Sequence, residues 1–210
     1  MKLLNLCCGG VRPQSTSVVS WINLDDLHSQ LAPGTEERKN LDAETNYVNA
    51  NVLAELPFSD GEFDGILASH CIEHFPCHAA VKVLKECHRI MKLNGMIIVT
   101  VPDSQYFLDN YDRDNQANAV ALFGEPISEP WHEKFFDYAL FHKDHQQLLT
   151  DTSLKCLMIK AGFQPNSIHP YGVWHERSAL AGNEKVLLVC DALEQELNRL
   201  AFSSIMLSTK

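Results

Sequence analysis

Lys2-Leu3-Leu4-Asn5-Leu6-Cys7-Cys8-Gly9-Gly10 is the stretch on which the reading of this chain turns. A short apolar run that stops at two glycines, with Arg12 and Pro13 behind them, predicts a buried strand ending in a tight glycine turn. In an open parallel sheet, nucleotide-like ligands lie in the crevice beyond the carboxyl end of such a first strand, because glycine lets the backbone come close. The stretch therefore points to a central first strand and to a nucleoside-type cofactor held at its tip.

Working outward, Val11 to Ser20 is short and polar, so the crossover holds at most a turn or two of helix. A second strand is expected over Trp21 to Leu24, ending in Asp25 and Asp26. An acidic residue about 20 positions after the glycine turn accepts hydrogen bonds from ribose hydroxyls. By spacing alone, Asp25 suits either that role or a turn or N-cap aspartate. Leu27 to Asn46, with Pro33-Gly34 and the charge cluster from Glu36 to Asn40, reads as mostly loop, and Tyr47 to Val52 as a third strand.

The punctuated stretch Leu56 to Asp64 feeds a fourth strand, Gly65 to Ser69. From Cys77 to Lys92, apolar residues at 80, 83, 84, 87, 90 and 91 have helical spacing, and Asn94 or Gly95 suits a left-handed cap. A fifth strand, Met96 to Val101, stops at Pro102. Asp103 to His145 holds nine of the eighteen aromatic residues, which marks an ordered insertion and not a linker. It is expected to cap the cofactor crevice; the alternatives are a thicker core or a homodimer face. Asp151 or Thr152 caps a helix with Leu154, Leu157, Met158 and Ala161 on its apolar face and Gly162 at its end. Two strands follow, Phe163 to His169 and Val186 to Asp191, the second antiparallel, and then an amphipathic helix from Ala192 to Ala201. The whole reads as one Rossmann-like α/β domain over residues 1–210, a seven-stranded, mostly parallel sheet with helices on both faces.

Composition narrows the partners. The net charge is −10 and no basic stripe is present, which argues against a nucleic-acid partner, whose phosphates need Lys and Arg. No apolar run approaches the ~20 residues that span a bilayer. Leu3 to Cys8 is too short for a secretion signal core, so no membrane association and a cytoplasmic location are expected. Seven scattered cysteines do not make a secreted disulfide framework, and most read as small buried hydrophobes.

Leu4-Asn5-Leu6-Cys7-Cys8-Gly9-Gly10 with Trp21-Ile22-Asn23-Leu24-Asp25 resembles the start of a class I S-adenosylmethionine-dependent methyltransferase of the short-N-terminus, type 11-like kind. Leu56-Pro57-Phe58-Ser59-Asp60-Gly61-Glu62-Phe63-Asp64 and Ser69-His70-Cys71-Ile72-Glu73-His74 are similar to two further blocks of that family, and Ala161-Gly162-Phe163 to the end of its last helix. The likeness runs from Leu3 to Phe163 in order. It departs at Cys7, where the family has glycine, and at Asn51, where it usually has the aspartate that meets the adenine amino group. An Asn carbonyl still accepts from that amine, without the charge-assisted part. The resemblance implies that S-adenosylmethionine is bound by Leu6, Cys7, Cys8, Gly9 and Gly10 around its methionine part. It further implies Asp25 at the ribose, Asn51 and Val52 at the adenine, and the Ser69 backbone near the amino group. It also implies a small-molecule or sugar-type acceptor.

Methyl transfer from a sulfonium is an in-line displacement, and holding the reactants in line supplies much of the rate. A hydroxyl or amine acceptor also needs a base. The candidates are His70, Glu73, His74 and Asp103 at the carboxyl ends of strands four and five. His145, where the family often has histidine, follows with His132 and His142, and His70 is the first choice. Two other readings stand beside this one. His70-Cys71-Ile72-Glu73-His74 fits the His-x-x-Glu-His pattern of a metal-dependent hydrolase, but that pattern works on a helix, and here it begins at a strand end. Alternatively, Cys7 and Asn51 mark a degenerate site in a binding protein without turnover.

Overall fold

The computed structural model describes residues 1–105, 145–169 and 203–210. Seven strands form one sheet in the order β3-β2-β1-β4-β5-β7-β6. β1 (Lys2–Leu6) lies inside it, parallel to β2 (Ser20–Asp25) on one side and to β4 (Phe63–Ser69) on the other, with Leu4 opposite both Ile22 and Ile66. Leu3, Leu4 and Leu6 are all buried, as a strand covered on both faces requires, and that is why β1 is a continuous apolar run and not an alternating one. β3 (Tyr47–Asn49) extends the sheet beyond β2, and β5 (Met91–Pro102) pairs parallel with β4. β7 (Ser203–Thr209) runs antiparallel between β5 and β6 (Gln164–His169).

Helix α2 (Cys77–Ile90) buries Ala80, Val83, Leu84, Cys87 and Ile90 in the same core as Leu154, Leu157 and Met158 of the C-terminal helix, numbered α3 here (Asp151–Ala161). Its cap is Thr150, one residue before the expected Asp151 or Thr152. Thr150 Oγ1 accepts from Ser153 N, and Ser153 Oγ accepts from Thr150 N in return.

Some boundaries differ from the sequence reading. Leu27–Asn46 is not mostly loop: a 3-10 turn spans Leu27–Ser29 and α1 spans Glu36–Ala43. α1 buries only Leu41, so no apolar period marks it. It stands instead on its Thr35 cap, on Glu36 and Glu37 in the first turn and on the Arg38–Asp42 pair. No helix occupies residues 11–19, where Ser15 and Thr16 hydroxyls hold the chain in turns. β3 stops at Asn49, before the expected Val52. β5 starts at Met91 and passes through Asn94 in the left-handed region (φ 62°). The antiparallel strand is Ser203–Thr209; the segments expected as strand 186–191 and helix 192–201 lie outside the described residues, as does nearly all of the expected cap. Among the described residues, no helix is long and apolar enough to cross a membrane.

Candidate functional site at the carboxyl edge of the sheet

The glycine turn follows directly from β1. Cys8 N donates to Leu24 O at 3.1 Å and Val11 N to Cys8 O at 2.9 Å, which folds residues 7–11 over the ends of β1 and β2. Cys7 (φ 54°) and Gly9 (φ 51°) both stand in the left-handed region. For Cys7 this costs about 1 kcal/mol relative to glycine, the residue the family places there. A Cβ added at Gly9 or Gly10 would meet nothing within 4 Å, so the turn faces open space. A cleft of about 350 Å³ opens beside it, bounded by Arg12, Leu27 and Leu41.

Asp25 is joined to this turn. Its Oδ2 accepts from Gly9 N at 2.8 Å and its Oδ1 from Asp26 N at 2.8 Å, so it serves the turn role as well as standing at the tip of β2. Each oxygen keeps a lone pair for a second donor. Arg12 closes the other side, with Nη1 on Gly9 O at 2.7 Å and Nε on Glu44 at 2.8 Å. The Cys8 thiol is pushed up to about 12 by burial and by the Asp25 charge, so it stays protonated and inert. Tyr47, which the sequence reading did not single out, donates its hydroxyl to Asp25 O at 2.8 Å and accepts from Leu27 N. Burial pushes this phenol to about 12. Asn51 is exposed two residues beyond β3, with Oδ1 accepting from Leu53 N at 2.9 Å, while Val52 is buried.

The second half of the site is the tip of β4. Ser69 Oγ lies 3.0 Å from Thr100 Oγ1, and His70 N donates to Thr100 O at 3.0 Å, tying this tip to β5. His70 is itself left-handed (φ 47°), which breaks the strand and turns the chain into the 3-10 turn Ile72–His74. The His-x-x-Glu-His stretch is therefore not helical, and its two histidines do not share a helix face. Cys71 is joined to Cys7 in a disulfide, 64 residues apart in sequence, which links the tips of β1 and β4. This corrects the expectation for these two cysteines; Cys8 and Cys87 are buried free thiols as expected, and Cys77 and Cys156 are exposed.

His70 Nδ1 lies 3.2 Å from Glu73 Oε1, and Glu73 is only 1% exposed. His145 Nε2 lies 4.0 Å from the same oxygen, and its ring meets that of His74 edge to face at 4.8 Å between centroids. The main chain makes this meeting possible: Gln146 N and Gln147 N both donate to Glu73 O, and Gln147 Nε2 donates to Ile72 O and Phe75 O. Sequence reasoning missed Gln147, since a lone glutamine beside an aromatic-rich segment carries no signal. The Asp103 carboxylate accepts from Gln105 N at 3.0 Å, and its backbone pairs in parallel with Leu149. His132 and His142 lie outside the described residues.

Comparison with known proteins agrees with this architecture. Residues 7–99, somewhat under half of the chain, match a family described as a methyltransferase domain. A comparison with curated proteins found no match. The fold is similar to that of a SAM-dependent methyltransferase from Archaeoglobus fulgidus, at 18% identity and a TM-score of 0.56, covering 100% of this chain and 86% of that one. It is also similar to a methyltransferase from Thermotoga maritima described as a possible histamine N-methyltransferase, at 15% identity, TM-score 0.52, and 100% and 82% coverage. The cyclase SpnF shares the fold as well, at 14% identity, TM-score 0.54, and 100% and 75% coverage.

Proposed function

We propose that the chain, which matches a methyltransferase-domain family over residues 7–99 and shares the fold of S-adenosylmethionine-dependent methyltransferases, is itself a class I methyltransferase that methylates an oxygen or nitrogen of a small-molecule or sugar-type acceptor. The observation that carries the reading is the open glycine turn at Gly9 and Gly10, hydrogen-bonded to the carboxylate of Asp25. These residues fit the cofactor: unfilled space at the turn, an acidic acceptor at the tip of β2, and backbone groups of residues 6–10 and 69 at the carboxyl ends of the adjacent strands β1 and β4. When bound, S-adenosylmethionine supplies a methyl group on an already activated sulfonium.

The chain's own residues then orient and deprotonate. Asp25 accepts from the ribose hydroxyls with the lone pairs left after its two backbone bonds. Glu73 holds His70 through Nδ1, so removal of the acceptor proton falls to Nε2, and the buried carboxylate stabilises the imidazolium that forms. His145, held over Glu73 by the Gln146 and Gln147 amides, is the second candidate for this work. Asp103 and His145, the described residues that flank positions 106–144, both lie at the carboxyl edge of the sheet. The net charge of −10 favours a small acceptor over nucleic acid.

Calorimetric titration with S-adenosylmethionine and S-adenosylhomocysteine tests the site. The expected result is micromolar binding that Asp25→Ala weakens at least tenfold. The Cys7–Cys71 link, at the cofactor's expected methionine end, favours a second reading, a binding protein without turnover. Absence of binding in the wild type with recovery in Cys7→Gly would support that second reading.

A further inference from the structure

Glu73, His74 and His145 each present one ligand-type atom within 4.8 Å of the others. Glu73 is 1% exposed and His145 has 7% of its side chain exposed, so the group is set into the protein and not scattered on its surface. The Oε2 atom of Glu73 is buried with no hydrogen-bond partner. A buried carboxylate oxygen without a donor is costly, and a cation is the partner its chemistry calls for.

We propose that Glu73, His74 and His145 bind one divalent transition-metal ion at the carboxyl edge of the sheet, beside the Cys7–Cys71 link. Two imidazoles with one carboxylate suit Zn²⁺ and its neighbours and are unsuited to Mg²⁺ or Ca²⁺, which take oxygen ligands. Ligand atoms about 2.0–2.2 Å from a tetrahedral ion stand roughly 3.4 Å from one another. The 4.0 Å between His145 Nε2 and Glu73 Oε1 stands within about 0.6 Å of that spacing. His70 Nδ1, at 3.2 Å from Oε1, orients the carboxylate as outer-shell partners of metal ligands do. The bonds from Gln146 N and Gln147 N to Glu73 O hold the two chain segments together, so the ligands from residues 73–74 and 145 meet before any ion arrives. Three protein ligands leave a position for water or another oxygen ligand, which is the pattern of a reactive metal centre and not of a structural one. This set differs from the sequence motif: His145, 71 residues further on, takes the place that the motif would give to His70.

The test is metal binding by the intact protein without cofactor, using Zn²⁺ by dialysis and elemental analysis and Co²⁺ by its visible absorption. The expected result is one equivalent retained at micromolar free metal. His74→Gln and His145→Gln should each weaken it at least tenfold, and Cys77→Ser with His78→Gln should leave it unchanged. Circular dichroism of each variant separates loss of a ligand from loss of fold, and where Glu73→Gln unfolds, the two histidine variants decide alone. A wild type that retains less than a tenth of an equivalent overturns the proposal, as does binding unchanged in both histidine variants or lost in the Cys77/His78 pair. Titration with S-adenosylhomocysteine on the same samples reports the methyl-donor cleft separately, so a failed metal site and a failed cofactor site give different results.

Discussion

At the scale of single residues, Cys7 and His70 carry the departures that matter. Both occupy left-handed backbone positions and both stand at the tips of adjacent strands, where each turns its chain out of the sheet. Cys7 adds a covalent link across those tips. Closing 64 residues of chain is worth up to about 4 kcal/mol through the unfolded state. Reduction should therefore lower the urea midpoint markedly and expose two further thiols to a thiol reagent; Cys7→Ser should abolish both changes. A thiol count that does not rise on reduction would remove the link. For His70 the prediction is kinetic. His70→Gln should depress methyl transfer at least a hundredfold, within the range of general-base catalysis. Glu73→Gln should lower kcat at least tenfold with little change in KM, since the carboxylate that fixes the His70 ring and stabilises the imidazolium is gone. An unchanged kcat in Glu73→Gln would remove Glu73 from the acid–base step.

At the scale of elements, legibility followed burial. β1, β4 and α2 could be read because their apolar residues are continuous or spaced at 3.6, and the structure buries those same residues. α1 could not, because a helix with one buried residue leaves no period and depends on a cap and charge pairs. β7 was not anticipated at Ser203–Thr209, a stretch with a short apolar run between serines and a threonine, whose strand character comes from pairing with β5 and β6 on either side. The C-terminus of α3 is held differently. Gly162 is left-handed (φ 103°), and a Cβ there would come within 3.3 Å of His88 Nε2. Gly162→Ala should cost about 1–2 kcal/mol, read from urea unfolding. A second staple is Arg89 of α2, whose guanidinium holds Glu86 at 2.7 Å, Asp60 at 2.8 Å and the Leu56 and Phe58 carbonyls. Arg89→Ala leaves Glu86 facing Leu56 N alone and should cost about 2 kcal/mol. Arg89→Lys, which lacks the fork, should recover less than half of it.

At the scale of the whole molecule, the half of the candidate site proposed to hold the cofactor was legible because it is local: the glycine turn and Asp25 lie within one strand–crossover–strand unit. The half proposed for acid–base work was legible only as a set of residue types. Its assembly depends on contacts between residues 70–75 and 145–147, and the Cys7–Cys71 link on a contact across 64 residues. Charge ties these parts to pH in a definite order. Burial, with Lys210 nearby, lowers the His88 pKa below its ordinary 6.5. The folded state therefore resists protonating His88, so its contribution is complete above pH 6.5 and is lost as pH falls through the lower folded value. Glu62 is lowered by its bond to Lys2, and Glu86 by Arg89. Asp64 is lowered because bonds from Lys92 and Lys2 N outweigh its burial. Those three contributions are complete above the ordinary carboxylate values and are lost only at more acid pH. Stability should thus fall in two stages on acidification: a shallow one below pH 6.5, then a steep one below about pH 4.5. Urea midpoints measured from pH 8 to pH 3 would show both. His88→Gln should flatten the first stage without moving the second, whereas a first stage that persists in His88→Gln would assign it to another histidine.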